Sequence, residues 1–142
     1  MKRKYLIASH GKFSSGLKNS IAILTGQAEN IETIDAYIDD SDFSDIIEVF
    51  IKKIDINEQG IIFTDLFGGS VNQKITRLLL AESKKNIVLI SNANLAIILT
   101  ILFLTPDSKL TNEIIDNAIS ESNVTRVEIQ SIVNDDEEDF LS

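Results

Sequence analysis

The sequence is poor in the residues that build disulfides, metal sites and basic surfaces. It contains no cysteine and only 1 histidine among its 142 residues. The lack of cysteine excludes a disulfide scaffold and thiolate metal ligands, and a single histidine excludes a metal site made of several imidazoles. Acidic residues outnumber basic ones, 22 to 13, which gives a formal net charge of −9. This charge argues against non-specific binding to nucleic acid and against contact with an anionic membrane surface.

Long apolar runs are also missing. The most apolar stretch, residues 95–104, is about half as long as a membrane-spanning helix. The basic residues 2–4 precede an apolar run that is too short for a secretory signal. We therefore expect a cytoplasmic protein with no direct membrane insertion. The length of the chain and its apolar content of 44% are sufficient for one domain with its own core.

Strand-like and helix-like apolar patterns alternate along the chain. Continuous apolar runs typical of buried strands occupy residues 5–8, 61–64 and 87–90, and residues 31–36 alternate as a further strand would. Each of these segments is followed by one of helical periodicity. The alternation predicts an α/β fold with an open, doubly wound, mostly parallel sheet in the order 2-1-3-4 and with helices on both faces. Residues 124–132 alternate apolar and polar side chains, which is typical of an edge strand, either antiparallel or lent to a partner subunit. We assign residues 1–133 to a single domain and expect the acidic residues 134–142 to form a disordered tail.

Three of the predicted strands end in polar turns. Ser9, His10 and Gly11 follow the first strand, residues 65–70 follow the third, and residues 91–94 follow the fourth. In an open parallel sheet, the loops at the carboxyl ends of the strands carry the ligands. Because the first and third strands are neighbours in the predicted order, we expect His10 and Asp65 to lie side by side.

A carboxylate beside the only histidine has a clear chemical meaning. By accepting a hydrogen bond from one ring nitrogen, Asp65 would select the tautomer and leave the other nitrogen of His10 free to attack. Gly68 and Gly69 allow backbone N–H groups to converge at a helix start that favours an anion, and Ser70 offers a hydroxyl and a helix cap. These features together predict phosphoryl transfer through a phosphohistidine on His10. Each feature alone is also typical of ordinary turns and caps, so the prediction depends on their combination.

The common nucleotide-binding and hydrolase motifs are absent from the sequence. It has no Gly-x-x-x-x-Gly-Lys-[Ser/Thr] loop, no Gly-x-Gly-x-x-Gly after the first strand and no Gly-x-Ser-x-Gly elbow. We therefore expect no cofactor and no bound metal. A hydrolase that uses Asp65 as its nucleophile is an alternative, but the sequence offers no second carboxylate near Asp65 for the metal that such an enzyme needs.

Three segments of the chain carry a family resemblance. They are Ile-Ala-Ser-His-Gly at residues 7–11, Thr-Asp-Leu-Phe-Gly-Gly-Ser-Val-Asn at residues 64–72, and Asn-Ala-Asn-Leu at residues 92–95. With the elements around them, they resemble the enzyme IIA domain of the mannose/fructose/sorbose family of the bacterial sugar phosphotransferase system. The resemblance runs from the first strand through the fourth helix, which is most of the chain.

The resemblance implies a phosphotransferase with a phosphohistidine intermediate on His10. The phosphoryl group would arrive from the phosphocarrier HPr, charged from phosphoenolpyruvate by enzyme I. It would leave to a histidine of the IIB component, which phosphorylates the sugar during uptake. Asp65 matches the family's catalytic partner of the histidine, and Gly68, Gly69 and Ser70 match its phosphate-binding loop. The family also implies a homodimer in which the last strand packs across the two subunits.

The chain departs from the family pattern at two positions. Val71 follows Gly-Gly-Ser where the family commonly has proline, and Ala96 stands near the place of another common proline. Neither change removes a chemical group, but both can alter loop rigidity and partner choice. We expect Phe13, Phe67 and the loop near Asn94 to take part in selecting the partner. The transported sugar cannot be read from the chain, because a IIA subunit touches only proteins and a phosphoryl group.

Two related functions stay open at this point. The same fold could carry a regulatory phosphohistidine that modulates a partner and does not feed sugar uptake directly. It could also belong to the phosphodonor subunit for dihydroxyacetone phosphorylation, which usually carries further phosphocarrier domains. Because the chain stops after the predicted last strand and acidic tail, we expect a stand-alone IIA subunit with no fused IIB domain.

Overall fold

The structure, a computed structural model, describes residues 1–106 and 108–130. Strands and helices alternate along the chain, which confirms the predicted α/β class. The strands are β1 (Lys2–His10), β2 (Ile31–Ala36), β3 (Glu58–Thr64) and β4 (Ile87–Ile90). The helices are α1 (Phe13–Thr25), α2 (Ser44–Lys53), α3 (Ser70–Glu82), α4 (Leu95–Leu102) and α5 (Asn112–Glu121).

The described strands form a parallel sheet in the order β2-β1-β3-β4, which confirms the predicted order. The centre of the sheet is the pair β1 and β3, where Ala8 lies opposite Thr64. Strands covered on both faces need apolar side chains on both faces, which explains the continuous apolar runs of β1 and β3. His10 ends β1 and Asp65 directly follows β3, so both residues reach the same edge of the sheet.

Helices cover both faces of the sheet, as predicted, and form two hydrophobic cores. On one face, α1, α4 and α5 pack around Ile7, Ile61 and Phe63. On the other face, α2 and α3 pack around Leu6 and Ile62. Successive residues of a strand point to opposite faces, so one apolar run supplies both cores. Each fully buried side chain of this size contributes about 1.5–3 kcal/mol to folding.

The most apolar part of the chain is a core helix. Three isoleucines of α4, Ile97, Ile98 and Ile101, are buried against the sheet. The helix starts at Asn94, whose Oδ1 accepts a hydrogen bond of 2.8 Å from the amide of Ile97. Among the described residues, every helix is too short or too polar to cross a bilayer.

The edge strand predicted for residues 124–132 is not formed in the described part of the chain. Residues 123–128 have no regular secondary structure, and the apolar side chains of Val124, Val127 and Ile129 are exposed. An alternating segment becomes a strand only where the edge of a sheet supplies its hydrogen bonds, and no described strand pairs with this one. The end of that segment and the predicted acidic tail, residues 134–142, lie outside the described residues.

Candidate active site

The backbone of His10 belongs to the rigid centre of the sheet, while its side chain reaches the surface. Gly11 turns the chain away from the sheet with a φ of +58°, in the left-handed region that favours glycine. The Gly11 amide donates a hydrogen bond of 2.7 Å to the carbonyl of Ala36 at the end of β2. The imidazole is 40% exposed. The ring can therefore meet another protein without any movement of the strand that holds it.

Asp65 holds both the main chain and the ring of His10. Its Oδ2 accepts hydrogen bonds from the backbone N–H and from Nδ1 of His10, each at 2.8 Å. Its Oδ1 accepts a hydrogen bond of 3.0 Å from the amide of Leu66. The structure thus brings these two predicted site residues together. With the proton on Nδ1, the lone pair of the neutral imidazole is on Nε2.

The pKa of Asp65 lies below its ordinary value. Burial disfavours the charged form and raises the pKa, but hydrogen bonds from the backbone N–H and the ring of His10 outweigh the effect of burial. Asp65 is therefore ionised at neutral pH, and its carboxylate can only accept hydrogen bonds. The same negative charge stabilises positive charge on the ring when Nε2 forms a new bond.

Ser70 contacts the other nitrogen of the ring. Its Oγ lies 3.1 Å from Nε2 of His10, and because Nε2 carries no proton in this tautomer, the hydroxyl is the donor. Ser70 is the first residue of α3. The N-cap position before it is Gly69, and no side chain caps the helix. The expected capping role of Ser70 was therefore wrong, since its hydroxyl is directed to the histidine instead.

The first turn of α3 presents backbone donors beside the ring. Within residues 1–106 and 108–130, the amides of Ser70, Val71 and Asn72 have no acceptor, as is usual for the first turn of a helix. Gly69 is so close to the ring that a Cβ added there would lie 3.5 Å from Cε1 of His10. An anion bound to Nε2 would therefore meet free N–H groups at a helix N-terminus, where negative charge is favoured.

Gly68 shapes the loop that leads into α3. Its φ of +77° makes the turn, and its carbonyl accepts a hydrogen bond of 2.7 Å from Nε2 of Gln73. The neighbouring amide of Phe67 donates a hydrogen bond of 2.7 Å to Oδ1 of Asn92, in the turn after β4. Of the two predicted cradle glycines, Gly69 lies against the histidine ring, whereas Gly68 sets the path of the loop.

Tyr37 belongs to the site, although the sequence analysis missed it. Its hydroxyl donates a hydrogen bond of 3.0 Å to Oγ of Ser70, and the centres of its ring and the His10 ring are 5.4 Å apart. Tyr37 directly follows β2, which neighbours β1 in the predicted sheet. An aromatic residue directly after the second predicted strand could have indicated that Tyr37 lies near the site.

A buried polar cluster anchors α3 to the ends of β3 and β4. The hydroxyl of Thr64 donates a hydrogen bond of 2.8 Å to Oδ1 of Asn72, and the hydroxyl of Ser91 donates to the same atom. Thr64 and Asn72 are both buried. Because a buried polar group is costly to leave unpaired, the cluster holds the start of α3, and with it Ser70, against the strands.

The residues expected to select a partner have different environments. Phe13 and Phe67 are exposed, at 48% and 78%. Asn94, in contrast, is engaged within the fold. Besides capping α4, its Nδ2 donates a hydrogen bond of 2.9 Å to the carbonyl of Ser122 at the end of α5. Its side chain thus ties two helices together.

The arrangement around His10 favours attack by Nε2 on an electrophile that carries negative charge. The lone pair of Nε2 faces the donors of Ser70 and α3, while the carboxylate of Asp65 lies behind Nδ1. No proton must leave the ring before the attack, so no general base is needed. In the part of the chain that the structure describes, no group of three or more histidine, aspartate or glutamate side chains could hold a metal ion.

Comparison with known proteins points to one family. A family model described as the PTS system fructose IIA component matches residues 4–119. A solved structure of a putative phosphoenolpyruvate-dependent sugar phosphotransferase system permease from Klebsiella pneumoniae is 33% identical, with a TM-score of 0.72, and the match covers 84% of this chain and 85% of that chain. No curated protein sequence matches the chain significantly.

Two more distant structures share the fold. The phosphotransferase system component EIIA from Streptococcus agalactiae is 22% identical with a TM-score of 0.70, covering 91% of this chain and 98% of that chain. The mannose/sorbose-specific IIA subunit from Enterococcus faecalis is 19% identical with a TM-score of 0.69, covering 90% and 96%. At this level of identity, the likeness is one of fold.

Proposed function

The chain belongs to the family of fructose IIA components of the sugar phosphotransferase system, and on that basis we propose that His10 carries a phosphoryl group from phospho-HPr to a IIB component. The observation that carries the proposal is the environment of one imidazole. Nδ1 lies 2.8 Å from the carboxylate of Asp65, whereas Nε2 faces the hydroxyl of Ser70. This is the arrangement that a nucleophilic nitrogen needs.

The proposed reaction is an in-line transfer between two histidine nitrogens. The lone pair of Nε2 attacks the phosphorus atom of the donor phosphohistidine, the donor N–P bond breaks, and its electron pair stays on the donor nitrogen. Nδ1 of His10 keeps its proton and its hydrogen bond to Asp65, whose charge offsets the positive charge on the ring. Positioning and charge stabilisation supply most of the effect. Attack by a histidine of the IIB component then returns the site to its starting state.

The phosphoryl oxygens are proposed to bind at the start of α3, with the hydroxyl of Ser70 and the free amides as donors. Val71 contributes a further hydrogen-bond donor, because it has a backbone N–H that a proline at the same position would lack. The side chain of Val71 is buried in the core beneath α3, so the helix start stays anchored. The departure from the family pattern therefore adds a donor to the proposed cradle.

The proposed docking surface for both partner proteins surrounds His10. Exposed apolar side chains lie at the start of α1 and on two of the loops at this end of the sheet, and they are Phe13, Tyr37, Ile38, Leu66 and Phe67. Exposed apolar groups around a reactive atom are typical of protein contacts. Because donor and acceptor must each bring a histidine to Nε2, we propose that they use this surface in turn.

We also propose that the chain forms a homodimer and acts in the cytoplasm. Val124, Val127 and Ile129 are exposed in the single chain, and a partner subunit would remove them from water. Sedimentation velocity is expected to show a dimer at micromolar concentration, and a monomer under those conditions would contradict this part of the proposal. The cytoplasmic location follows from the proposed donor, which is charged from phosphoenolpyruvate.

A relay assay tests the proposed function. The chain is first phosphorylated with phosphoenolpyruvate, enzyme I and HPr, then purified and mixed with a IIB component. We expect the phosphoryl group to appear on the chain and then to pass to IIB. A chain that accepts the group but passes it to no IIB component would favour the regulatory alternative. A chain that accepts none would contradict both functions.

A further inference from the structure

Tyr37 adopts an unusual backbone conformation at the mouth of the site. Its φ is +66°, in the left-handed region that bulky side chains rarely adopt. The residue is 56% exposed, yet its hydroxyl is engaged with Ser70 inside the site. Strained backbone of this kind persists where the surrounding structure holds it, and it is concentrated at functional sites. The conformation therefore indicates a functional role for the side chain of Tyr37.

Two aromatic contacts hold the ring of Tyr37 in place. The ring of Phe43 meets it edge-on, at 5.5 Å between centres and 89° between planes. The ring of His10 lies 5.4 Å away at 34°. Phe43 is itself buried, and Nζ of Lys74 lies 4.4 Å from the centre of its ring. Because the Tyr37 ring is packed in this way, its hydroxyl is held at hydrogen-bond distance from Oγ of Ser70.

The hydrogen bonds that connect Tyr37, Ser70, His10 and Asp65 all run in one direction. The carboxylate of Asp65 can only accept, so Nδ1 of His10 donates and Nε2 accepts. The single proton of the Ser70 hydroxyl is therefore directed to Nε2. The Ser70 oxygen is left to accept, and it accepts from Tyr37. Without that donor, the Ser70 hydroxyl would be free to rotate away from the ring.

We propose that Tyr37 is a positioning residue that orients the Ser70 hydroxyl for phosphoryl transfer at His10, an inference that rests on the proposed function. Before transfer, Tyr37 directs the Ser70 proton to Nε2. After transfer, Nε2 is bonded to phosphorus, and the same hydroxyl turns its proton to a phosphoryl oxygen while Tyr37 continues to donate to Oγ. The N–P bond forms at Nε2, the donor nitrogen keeps its electron pair, and both hydroxyl groups keep their protons.

The variant Tyr37→Phe tests this role, since it removes the hydroxyl and keeps the ring contacts. One neutral hydrogen bond corresponds to about a two- to tenfold change in rate. We expect a decrease of that size in the rate of phosphorylation by phospho-HPr, together with a shorter lifetime of the phosphohistidine. Because Tyr37 acts through Ser70, adding Tyr37→Phe to Ser70→Ala should cause no further decrease.

The other tyrosine of the chain supplies a matched control. The sequence contains 2 tyrosines, and Tyr5 lies five residues before His10 in β1, in a pocket that it shares with Ile31 and Leu102. Five residues of strand correspond to about 16 Å. Tyr5→Phe removes the same hydroxyl group far from the site, so its phosphorylation rate should equal that of the wild type.

Nitrogen-15 NMR of the imidazole gives a readout that does not depend on any partner protein. A chain with one histidine gives a single pair of ring nitrogen signals. In Tyr37→Phe, we expect the Nε2 signal to shift toward that of a nitrogen with no hydrogen-bond donor. The Nδ1 signal should stay in place, because its hydrogen bond to Asp65 is intact. If Tyr37 had only a structural role, its replacement would shift both the Nε2 and the Nδ1 signals or neither of them.

The outcomes separate the positioning role from the proposed function. An unshifted Nε2 signal together with wild-type transfer in Tyr37→Phe would overturn the positioning role. An equal loss of rate from Tyr37→Phe with and without the Ser70 hydroxyl would also overturn it, because Tyr37 would then act independently of Ser70. Failure of the wild-type chain to accept a phosphoryl group would contradict the proposed function, while the Nε2 signal would still test the role of Tyr37.

Discussion

Replacing Asp65 by asparagine removes a charge from the site and keeps an acceptor of nearly the same shape. In the native site, Oδ2 accepts from the backbone N–H and from Nδ1 of His10, each at 2.8 Å. The carbonyl oxygen of asparagine can serve the same two donors, while its NH2 group takes the place of the oxygen that accepts from the Leu66 amide. The orientation of the ring is therefore retained in Asp65→Asn, but the negative charge opposite the phosphorylated imidazole is lost.

The size of the effect follows from the difference between charged and neutral hydrogen bonds. A bond to a charged group contributes about 1.5–3 kcal/mol and a neutral one about 0.5–1.5 kcal/mol. The difference of about 1–1.5 kcal/mol corresponds to roughly a 5- to 13-fold change in rate. Because the imidazole is 40% exposed, solvent screens the charge, and we expect about a fivefold decrease for Asp65→Asn. Asp65→Ala loses the whole bond and should decrease the rate by roughly 10- to 100-fold.

The assay is the rate of phosphorylation by phospho-HPr, followed by rapid quench, for the wild type and both variants. Urea unfolding of each variant verifies that the fold is intact, which we expect because Asp65 follows a strand end and lies outside both hydrophobic cores. The expected order of rates is wild type, then Asp65→Asn, then Asp65→Ala. Equal rates for the wild type and Asp65→Asn would refute the role of the charge. Equal rates for the two variants would refute the role of the acceptor in orienting the ring.

Three further predictions concern the anchoring of α3, the space beside the ring and the effect of pH. Asn72→Ala should lower the free energy of unfolding in urea by about 1–3 kcal/mol, because the hydroxyls of Thr64 and Ser91 lose the acceptor that they share; an unchanged value would contradict the anchoring role. Gly69→Ala should slow phosphorylation by phospho-HPr, since a Cβ there would lie 3.2 Å from a backbone oxygen of its own loop and 3.5 Å from the imidazole Cε1. Gly16→Ala, where a Cβ meets nothing within 4 Å, is the control, and equal rates for the two alanine variants would count against the prediction. Folding lowers the pKa of Asp65 from 3.8, so the stabilisation by this carboxylate is complete above that pH and is lost as the pH falls through the lowered pKa. The difference in unfolding free energy between the wild type and Asp65→Asn should therefore shrink in acid, and a constant difference would contradict the assignment.

The adjacency of His10 and Asp65 could be predicted because it depends on topology. Apolar runs identify the strands, and alternation with helices makes the sheet parallel, which brings the ends of β1 and β3 together at one edge. The polar residue types at those ends then indicate the chemistry. None of these steps requires knowledge of an irregular turn, so periodicity and residue type are sufficient.

The details of the turns could not be predicted, because they depend on backbone conformations that periodicity does not describe. The hydroxyl of Tyr37 reaches Ser70 only because its residue adopts a positive φ. Asn72 is buried among hydroxyl groups, yet a single asparagine in a helix looks the same in sequence as a surface one. The edge strand expected at residues 124–132 pairs with no described strand, because alternating side chains identify a candidate strand but not the neighbour that would supply its hydrogen bonds.

Intact mass measurement after incubation with phosphoenolpyruvate, enzyme I and HPr tests the central claim most directly. His10 is the only histidine of the chain, so a phosphohistidine can form at one position. The proposal predicts one added phosphoryl group on the wild type, lost in acid, and none on His10→Gln. An equal amount of acid-labile phosphate on His10→Gln, or none on the wild type, would contradict it.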